Sequence, residues 1–68
     1  MPGGVFRYLD LVGTSNKSIE EAIGAAIAEA TKSSGKIHWF EVTETRGRVE
    51  NGAVAEYQVG VRVGVRAE

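Results

Sequence analysis

The longest regular alternation of apolar and polar residues in this chain runs from Ala53 to Arg66. Side chains alternate between the two faces of a strand, so the run predicts one long strand with a buried face and an open face. The buried face is predicted to hold Ala53, Ala55, Tyr57, Val59, Val61, Val63 and Val65. The open face is predicted to hold Val54, Glu56, Gln58, Gly60, Arg62, Gly64 and Arg66. At about 3.3 Å per residue this strand is roughly 45 Å long, and the remaining elements must pack along it.

One amphipathic helix is predicted before this strand. Ser18 stands at an N-cap position with Glu21 three residues later, which is the spacing of a capping box. Gly35 follows Ser33 and Ser34 and suits a left-handed C-terminal cap. Between the caps, apolar residues recur at helical spacing in a stripe that we expect to pack on the sheet. The stripe consists of Ile19, Ala22, Ile23, Ala26, Ile27 and Ala30.

A first strand is predicted before the helix, from Val5 to Val12. Its alternation places Val5, Leu9 and Leu11 on one face, and Phe6, Tyr8, Asp10 and Val12 on the other. The residues from Gly13 to Lys17 form a cluster of turn formers, which we expect to connect this strand to the helix.

A second strand is predicted from Ile37 into the run that ends at Gly47, and it holds the only tryptophan of the chain. An unbroken alternation sends Phe40 and Val42 to the core face. It sends Trp39, Glu41, Thr43 and Thr45 to the other face. His38 would then face away from Trp39, as a surface or interface residue. An exposed indole needs a cover, such as another subunit, a flat ligand or both.

The order of these elements predicts an α+β fold of the type β-α-β-β. The segment Glu50-Asn51-Gly52 is a hairpin signal, so the third strand runs antiparallel to the second. Placing the third strand in the centre gives a three-stranded antiparallel sheet of order 1-3-2 with the helix on one face. A helix of about 17 residues is roughly 25 Å long, so the longer sheet must project beyond it.

The length and composition indicate one small domain that needs other copies for stability. At 68 residues a single core is marginal, and the chain has no cysteine for disulfides and one histidine for metal binding. We therefore expect oligomerisation, one domain over residues 1–68 and a flexible leader over residues 1–4. The net charge of −1 gives no field for nucleic acid, and no apolar run can span a bilayer or direct secretion. A cytoplasmic protein is expected.

The open face of the predicted sheet combines groups that suit a flat heterocycle. Trp39 offers an aromatic plate for stacking. Gln58 can donate and accept hydrogen bonds at once, so it can pair with a ring edge that carries adjacent carbonyl and N–H groups. Gly60 and Gly64 leave room for a close approach. The same residues also fit a simple packing interface, and composition alone does not separate the two interpretations.

Several segments together resemble the dodecin family, in order and in spacing. They are Val12-Gly13-Thr14-Ser15, Trp39-Phe40-Glu41-Val42, Arg46-Gly47, Gly52-Ala53-Val54 and Tyr57-Gln58-Val59. The likeness runs from Tyr8 to Arg66. It implies a hollow homododecamer that binds flavins in pairs between tryptophans across two-fold axes. The expected cofactor is FMN, with riboflavin and FAD as alternatives, and the resemblance leaves open whether coenzyme A or metal ions also bind the shell.

Carried over residue by residue, the resemblance gives a cofactor-binding set of Trp39, Gln58, Arg46 and Arg66, with no catalytic residue and no metal ligand. Trp39 would stack on the isoalloxazine and Gln58 would bond its pyrimidine edge. Arg46 follows Trp39 by seven residues, an odd number that places it on the opposite face of an unbroken strand. Its role therefore requires a bulge, a bend or another subunit. Arg66 lies on the same predicted face of the third strand as Gln58.

The function that this resemblance implies is storage and sequestration of flavin, with quenching of its photochemistry and no catalysis. The main alternative is a structural oligomeric shell or interaction protein without flavin. A flavoenzyme is disfavoured because stacking covers both ring faces and no general base is evident beside the ring. Nucleic-acid binding through Arg46, Arg48, Arg62 and Arg66 is disfavoured by the balanced charge.

Overall fold

The central strand of the sheet is the one that the alternation predicted. The computed structural model describes residues 3–67, and within them the chain forms strand β1 (Phe6–Ser15), helix α1 (Ile19–Ser34), strand β2 (Ile37–Glu50) and strand β3 (Ala53–Arg66). The sheet order is β1-β3-β2, with β3 antiparallel to both neighbours. The predicted α+β topology is therefore confirmed. Of the expected leader, residues 1–2 lie outside the described residues, and Gly3 and Gly4 have no regular structure.

Both ends of α1 form where the sequence predicts them. The hydroxyl of Ser18 accepts a 3.0 Å hydrogen bond from the backbone N–H of Glu21. In a capping box the carboxylate of the third residue accepts from the backbone N–H of the N-cap residue. Here the carboxylate of Glu21 instead accepts a hydrogen bond from the hydroxyl of Ser15 at 3.1 Å. At the other end the N–H of Gly35 donates to the carbonyl of Thr31. Gly35 has φ 78° and ψ −131°, so its φ is positive as expected but its ψ lies outside the left-handed helical region.

The predicted turn cluster after the first strand is partly wrong, because β1 continues through Gly13 and Thr14 to Ser15. Gly13 pairs with Val59 in the sheet. A Cβ at Gly13 would overlap the backbone carbonyl of Ala22 in the helix. This glycine therefore serves the close approach of α1 to β1 and not a turn.

The core lies between α1 and the odd-numbered face of β3. Its fully buried side chains come from every fourth residue of the helix and from alternate residues of the strand: Ala22, Ala26, Ala30, Val59, Val61, Val63 and Val65. Leu9, Leu11, Ile23, Ile27 and Ile37 are partly buried around them. Alanines at the centre of the stripe let the helix lie close to the valines, and the isoleucines flank the contact. The predicted core is confirmed at its centre, and it contains only small side chains. At its ends the prediction is wrong, because Ile19 and Ala53 are exposed and Ala55 and Tyr57 are only partly buried.

The helix leaves much of the sheet uncovered. It packs mainly on β1 and β3. Phe40 and Val42 pair with Val63 and Val61, so they lie on the helix side of the sheet as predicted, yet they are 50% and 44% exposed. The described part of the chain measures 56 × 19 × 13 Å because the β2–β3 hairpin projects past α1. We call the projecting part, residues 43–56, the arm.

The tip of the arm is a two-residue turn. Asn51 and Gly52 have φ values of 52° and 76°. Two consecutive positive φ values are typical of a type I′ hairpin, which the segment Glu50-Asn51-Gly52 predicted.

Three bulges break the regular alternation of the β2–β3 ladder. His38 and Thr43 are the extra residues in β2, and Ala55 is the extra residue in β3. Each bulge moves the residues beyond it to the opposite face from the one that an unbroken strand gives. Thr45 consequently pairs with Val59 on the helix side, which corrects its predicted position. Val54 pairs with Val49.

Val54 and Val49 share an apolar groove with Tyr57 and Ile19, the first residue of α1, and this groove has a volume of about 270 Å³. Val54 therefore lies on the helix side of the arm, not on the open face that the alternation predicted. Among the described residues no helix is long and apolar enough to cross a bilayer.

Candidate functional site

The sheet face opposite α1, which we call the distal face, carries all four residues of the predicted binding set. Trp39 pairs with Gly64, Arg46 pairs with Gln58, and Arg66 lies two residues beyond Gly64 on β3. Arg46 reaches this face because the bulge at Thr43 reverses its parity. The bulge that the predicted role of Arg46 required is therefore present within one chain.

Trp39 lies flat on the sheet because the residue opposite it has no side chain. A Cβ on Gly64 would overlap three atoms of the six-membered ring, Cε2, Cζ2 and Cη2. The ring therefore covers the backbone of β3 at close range, which only glycine permits. The tryptophan as a whole remains 38% exposed.

Two aromatic residues of β1 support the indole from the side. The ring of Phe6 is centred 5.2 Å from the indole with the planes tilted by 58°, and the ring of Tyr8 is centred 6.1 Å away at 87°. Both are geometries in which aromatic pairs attract each other. Neither ring stacks face to face on Trp39, so the outward face of the indole stays open. We call Phe6, Tyr8 and Trp39 the aromatic cluster.

His38 also contacts this cluster. Its ring is centred 5.2 Å from that of Phe6 in an edge-to-face arrangement. Since Phe6 also contacts Trp39, His38 lies beside Trp39 and does not face away from it, which corrects the sequence expectation. The bulge at His38 is the cause.

Two arginines of β3 lie over the rings of β1. The guanidinium of Arg66 is 5.1 Å from the centre of the Phe6 ring, and that of Arg62 is 5.0 Å from the centre of the Tyr8 ring. These are cation–π distances. Nε of Arg62 also donates to Oδ1 of Asp10 at 2.8 Å. This hydrogen bond and the charge of Asp10 raise the pKa of Arg62 above its ordinary value.

A second cluster surrounds Gln58 at the base of the arm. Nε of Arg46 donates to Oε1 of Gln58 at 2.9 Å, and Nε2 of Gln58 donates to Oε1 of Glu56 at 3.0 Å. Arg46 also pairs with Glu44 at 3.2 Å, and Arg48 lies 3.7 Å from Glu56. We call Arg46, Glu56 and Gln58 the amide cluster.

The structure does not bring Trp39 and Gln58 together within one chain. Gly64, under the indole, and Gln58 are six residues apart on β3, which corresponds to about 20 Å at 3.3 Å per residue. Between them the distal face has a shallow depression of about 330 Å³ beside Gly60, lined also by Asp10 and Glu44. Arg66 lies near Trp39, and Arg46 lies near Gln58. The four predicted binding residues therefore form two pairs on the distal face, Trp39 with Arg66 and Gln58 with Arg46.

The sequence interpretation missed the contacts of Phe6 and Tyr8 with Trp39. Both were placed on the open face of β1, but no ligand-binding or supporting role was assigned to them. The available signal was the strand order, because β1 and β2 flank β3 and only a glycine at position 64 separates Tyr8 from Trp39. Among the described residues, no three His, Cys, Asp or Glu side chains are grouped as a metal site.

Comparison with known proteins agrees with this arrangement of elements. The family model for dodecin matches residues 5–68. The chain belongs to the dodecin family. The dodecin of Thermus thermophilus is 47% identical over 66 residues, which cover 97% of this chain and 96% of that protein.

Solved dodecin structures share the fold closely. The dodecin of Streptomyces coelicolor superposes with a TM-score of 0.93 at 40% identity, covering 100% of this chain and 97% of the other. The dodecin of Streptomyces davaonensis gives a TM-score of 0.90 at 37% identity, with 96% of each chain covered. The chain is therefore similar to these dodecins over its whole folded length.

Proposed function

We propose that this protein stores and sequesters flavin, and that it does so as a homododecamer without catalysing a reaction. FMN is the expected ligand, and riboflavin or FAD are the alternatives. Membership of the dodecin family supports this assignment, and the geometry of the distal face supplies the chemical reason for it.

The observation that carries the proposal is the flat, open indole of Trp39. Gly64 fixes one face of the ring against the sheet, and the other face is available to a planar heterocycle. Stacking of this kind stabilises a bound ring by about 1–3 kcal/mol, by analogy with base stacking. The ordering cost is small, because Phe6 and Tyr8 already hold the indole in place.

Two features of the chain support the proposed oligomerisation. Trp39 and Gln58 are too far apart to contact one ring, so a site that uses both residues needs a second copy. Apolar side chains also remain exposed along β2 and the arm, where a neighbouring copy would cover them: Phe40, Val42, Val49 and Val54. A core of alanine and valine alone is a weak source of stability for 68 residues, so the covered surface would contribute to folding.

Trp39 would also make the bound flavin non-fluorescent, because an indole in van der Waals contact can donate an electron to the excited ring. Arg46 and Arg66 supply positive charge on the same face, which suits the phosphate of FMN.

A structural shell without flavin is the second candidate, because the exposed aromatic cluster would also be covered if copies packed on each other. A titration separates the two. Riboflavin added to the refolded, flavin-free protein is expected to lose most of its fluorescence up to a saturating ratio. Unchanged fluorescence, with the oligomer intact, would contradict flavin binding and favour the shell. Cytoplasmic residence stays a prediction.

A further inference from the structure

The side-chain amide of Gln58 is held from both sides by groups of opposite character. Its oxygen accepts from Nε of Arg46 at 2.9 Å, and its nitrogen donates to the carboxylate of Glu56 at 3.0 Å. Glu56 is itself held by Arg48 at 3.7 Å and is the more buried partner of that pair. Gln58 is partly buried between these neighbours.

These two contacts permit only one orientation of the amide. A guanidinium can only donate hydrogen bonds, and a carboxylate can only accept them. Rotating the amide by half a turn would place its N–H groups against Arg46 and its oxygen against Glu56. Both hydrogen bonds would be lost, and each would be replaced by a repulsive contact.

We propose that Glu56 is a positioning residue that sets the order of donor and acceptor which Gln58 presents to a ligand. The inference rests on the proposed binding of flavin and adds the basis of its selectivity. In the fixed orientation the second lone pair of Oε1 and the second N–H of Nε2 remain free. In this role Glu56 acts on the ligand only through the amide of Gln58.

The fixed amide selects a class of ligand. It matches a planar ring whose edge carries an N–H beside a carbonyl, with the N–H directed at Oε1 and the carbonyl directed at Nε2. The pyrimidine edge of an isoalloxazine has this order. A ring methylated at that nitrogen has no hydrogen to donate and would press a methyl group against Oε1.

The test compares two variants that carry the same chemical change. Glu56→Gln replaces the group that can only accept with one that can also donate, so the amide of Gln58 is then held in one orientation by Arg46 alone. Glu50→Gln is the matched control, because Glu50 also pairs with Arg48 in the arm but does not contact Gln58. Affinity for riboflavin and for 3-methylriboflavin is measured by fluorescence titration of both variants and of the unchanged protein.

Glu56→Gln is expected to weaken riboflavin binding about two- to tenfold, the range of one neutral hydrogen bond, while Glu50→Gln leaves it within about twofold. With 3-methylriboflavin, which lacks the donor, Glu56→Gln is expected to cause no loss. Equal riboflavin affinities of the two variants would overturn the proposal. The same loss for both ligands would also overturn it, since it would show a general effect on the arm.

A measurement without ligand separates this inference from the proposed function. Gln58 is the only glutamine of the chain, so labelling glutamine side chains with ¹⁵N yields one amide signal. Each variant adds a second glutamine, so in both of them Gln58 alone is labelled, by segmental synthesis. In the flavin-free protein Glu56→Gln should shift the Gln58 signal, whereas Glu50→Gln should not. An unshifted signal overturns the positioning role. A shifted signal in a protein that binds no riboflavin would overturn the proposed function and the ligand selectivity, and leave only the amide contact standing.

Discussion

Replacing Gly64 with alanine tests whether the flat position of Trp39 is what makes the site. The new Cβ would lie 2.5 Å from Cη2 of the indole, whereas carbon atoms in contact are about 3.5–4.0 Å apart. The indole must therefore move outward by at least about 1 Å. It can do so at modest cost to the fold because the tryptophan is already 38% exposed.

The expected loss is in binding and not in folding. If stacking is lost, riboflavin affinity should fall by about 1–3 kcal/mol, which is about fivefold to 160-fold. The free energy of unfolding should fall by less than the roughly 1–3 kcal/mol of an overpacked core, because a partly exposed ring can rotate away. Fluorescence titration gives the first quantity and thermal unfolding gives the second.

Gly24→Ala is the matched control for Gly64→Ala. Gly24 lies on the exposed side of α1, and a Cβ there meets no atom within 4 Å. Alanine should stabilise the helix by up to about 1 kcal/mol and leave flavin binding unchanged. The reasoning about Trp39 would be refuted if Gly64→Ala bound riboflavin as tightly as the unchanged protein while the oligomer remained intact.

Three further predictions concern the fold and the assembly. Gly13→Ala should destabilise the protein by about 1–3 kcal/mol in chemical unfolding, because its Cβ would overlap helix backbone at Ala22; unchanged stability would show that α1 lies elsewhere. Ala26→Asp should prevent folding, because it buries an unpaired charge at a cost of roughly 3–5 kcal/mol. Glu20→Lys on the outer face should lower thermal stability only slightly, as measured by circular dichroism, and equal stabilities of the two variants would contradict the helix orientation. Sedimentation at micromolar concentration should show an assembly far larger than a dimer, and a stable folded monomer would contradict the proposed dodecamer.

The sequence predicted the fold well because its strongest signals were local and agreed with one another. The alternation from Ala53 to Arg66, the cap at Ser18 and the turn at Asn51 each specify one element, and together they allow few topologies. Gly13 was misassigned because a glycine has the same signature in a turn as at a close contact. Only the packing of α1 on β1 distinguishes the two.

The candidate site was harder to predict because bulges decide which residues share its face. His38, Thr43 and Ala55 are the extra residues, and none of them is a glycine that would mark the position. Simple alternation therefore placed Thr45 and Val54 on the wrong faces. It also placed Arg46 on the binding face only if a bulge preceded it, and the structure has that bulge at Thr43.

The separation of Trp39 from Gln58 could not be predicted from parity, since parity gives the face and not the distance. The register of β3 against β2 sets that distance at six residues. The contact of Arg46 with the amide likewise depends on the bulge at Thr43, which brings Arg46 opposite Gln58. Glu56 lies two residues before Gln58 on β3 and so reaches the amide without a bulge.

The central claim is that Trp39 both holds flavin and quenches its fluorescence. The measurement that tests it most directly is a riboflavin titration of Trp39→Ala beside Gln58→Ala, with the oligomeric state of each verified by sedimentation. Gln58→Ala should weaken binding by about 0.5–1.5 kcal/mol and leave the bound flavin dark, because the electron donor remains. Trp39→Ala should weaken binding by about 1–3 kcal/mol and leave any bound flavin fluorescent. Unchanged affinity and unchanged quenching in an intact Trp39→Ala oligomer would contradict the account.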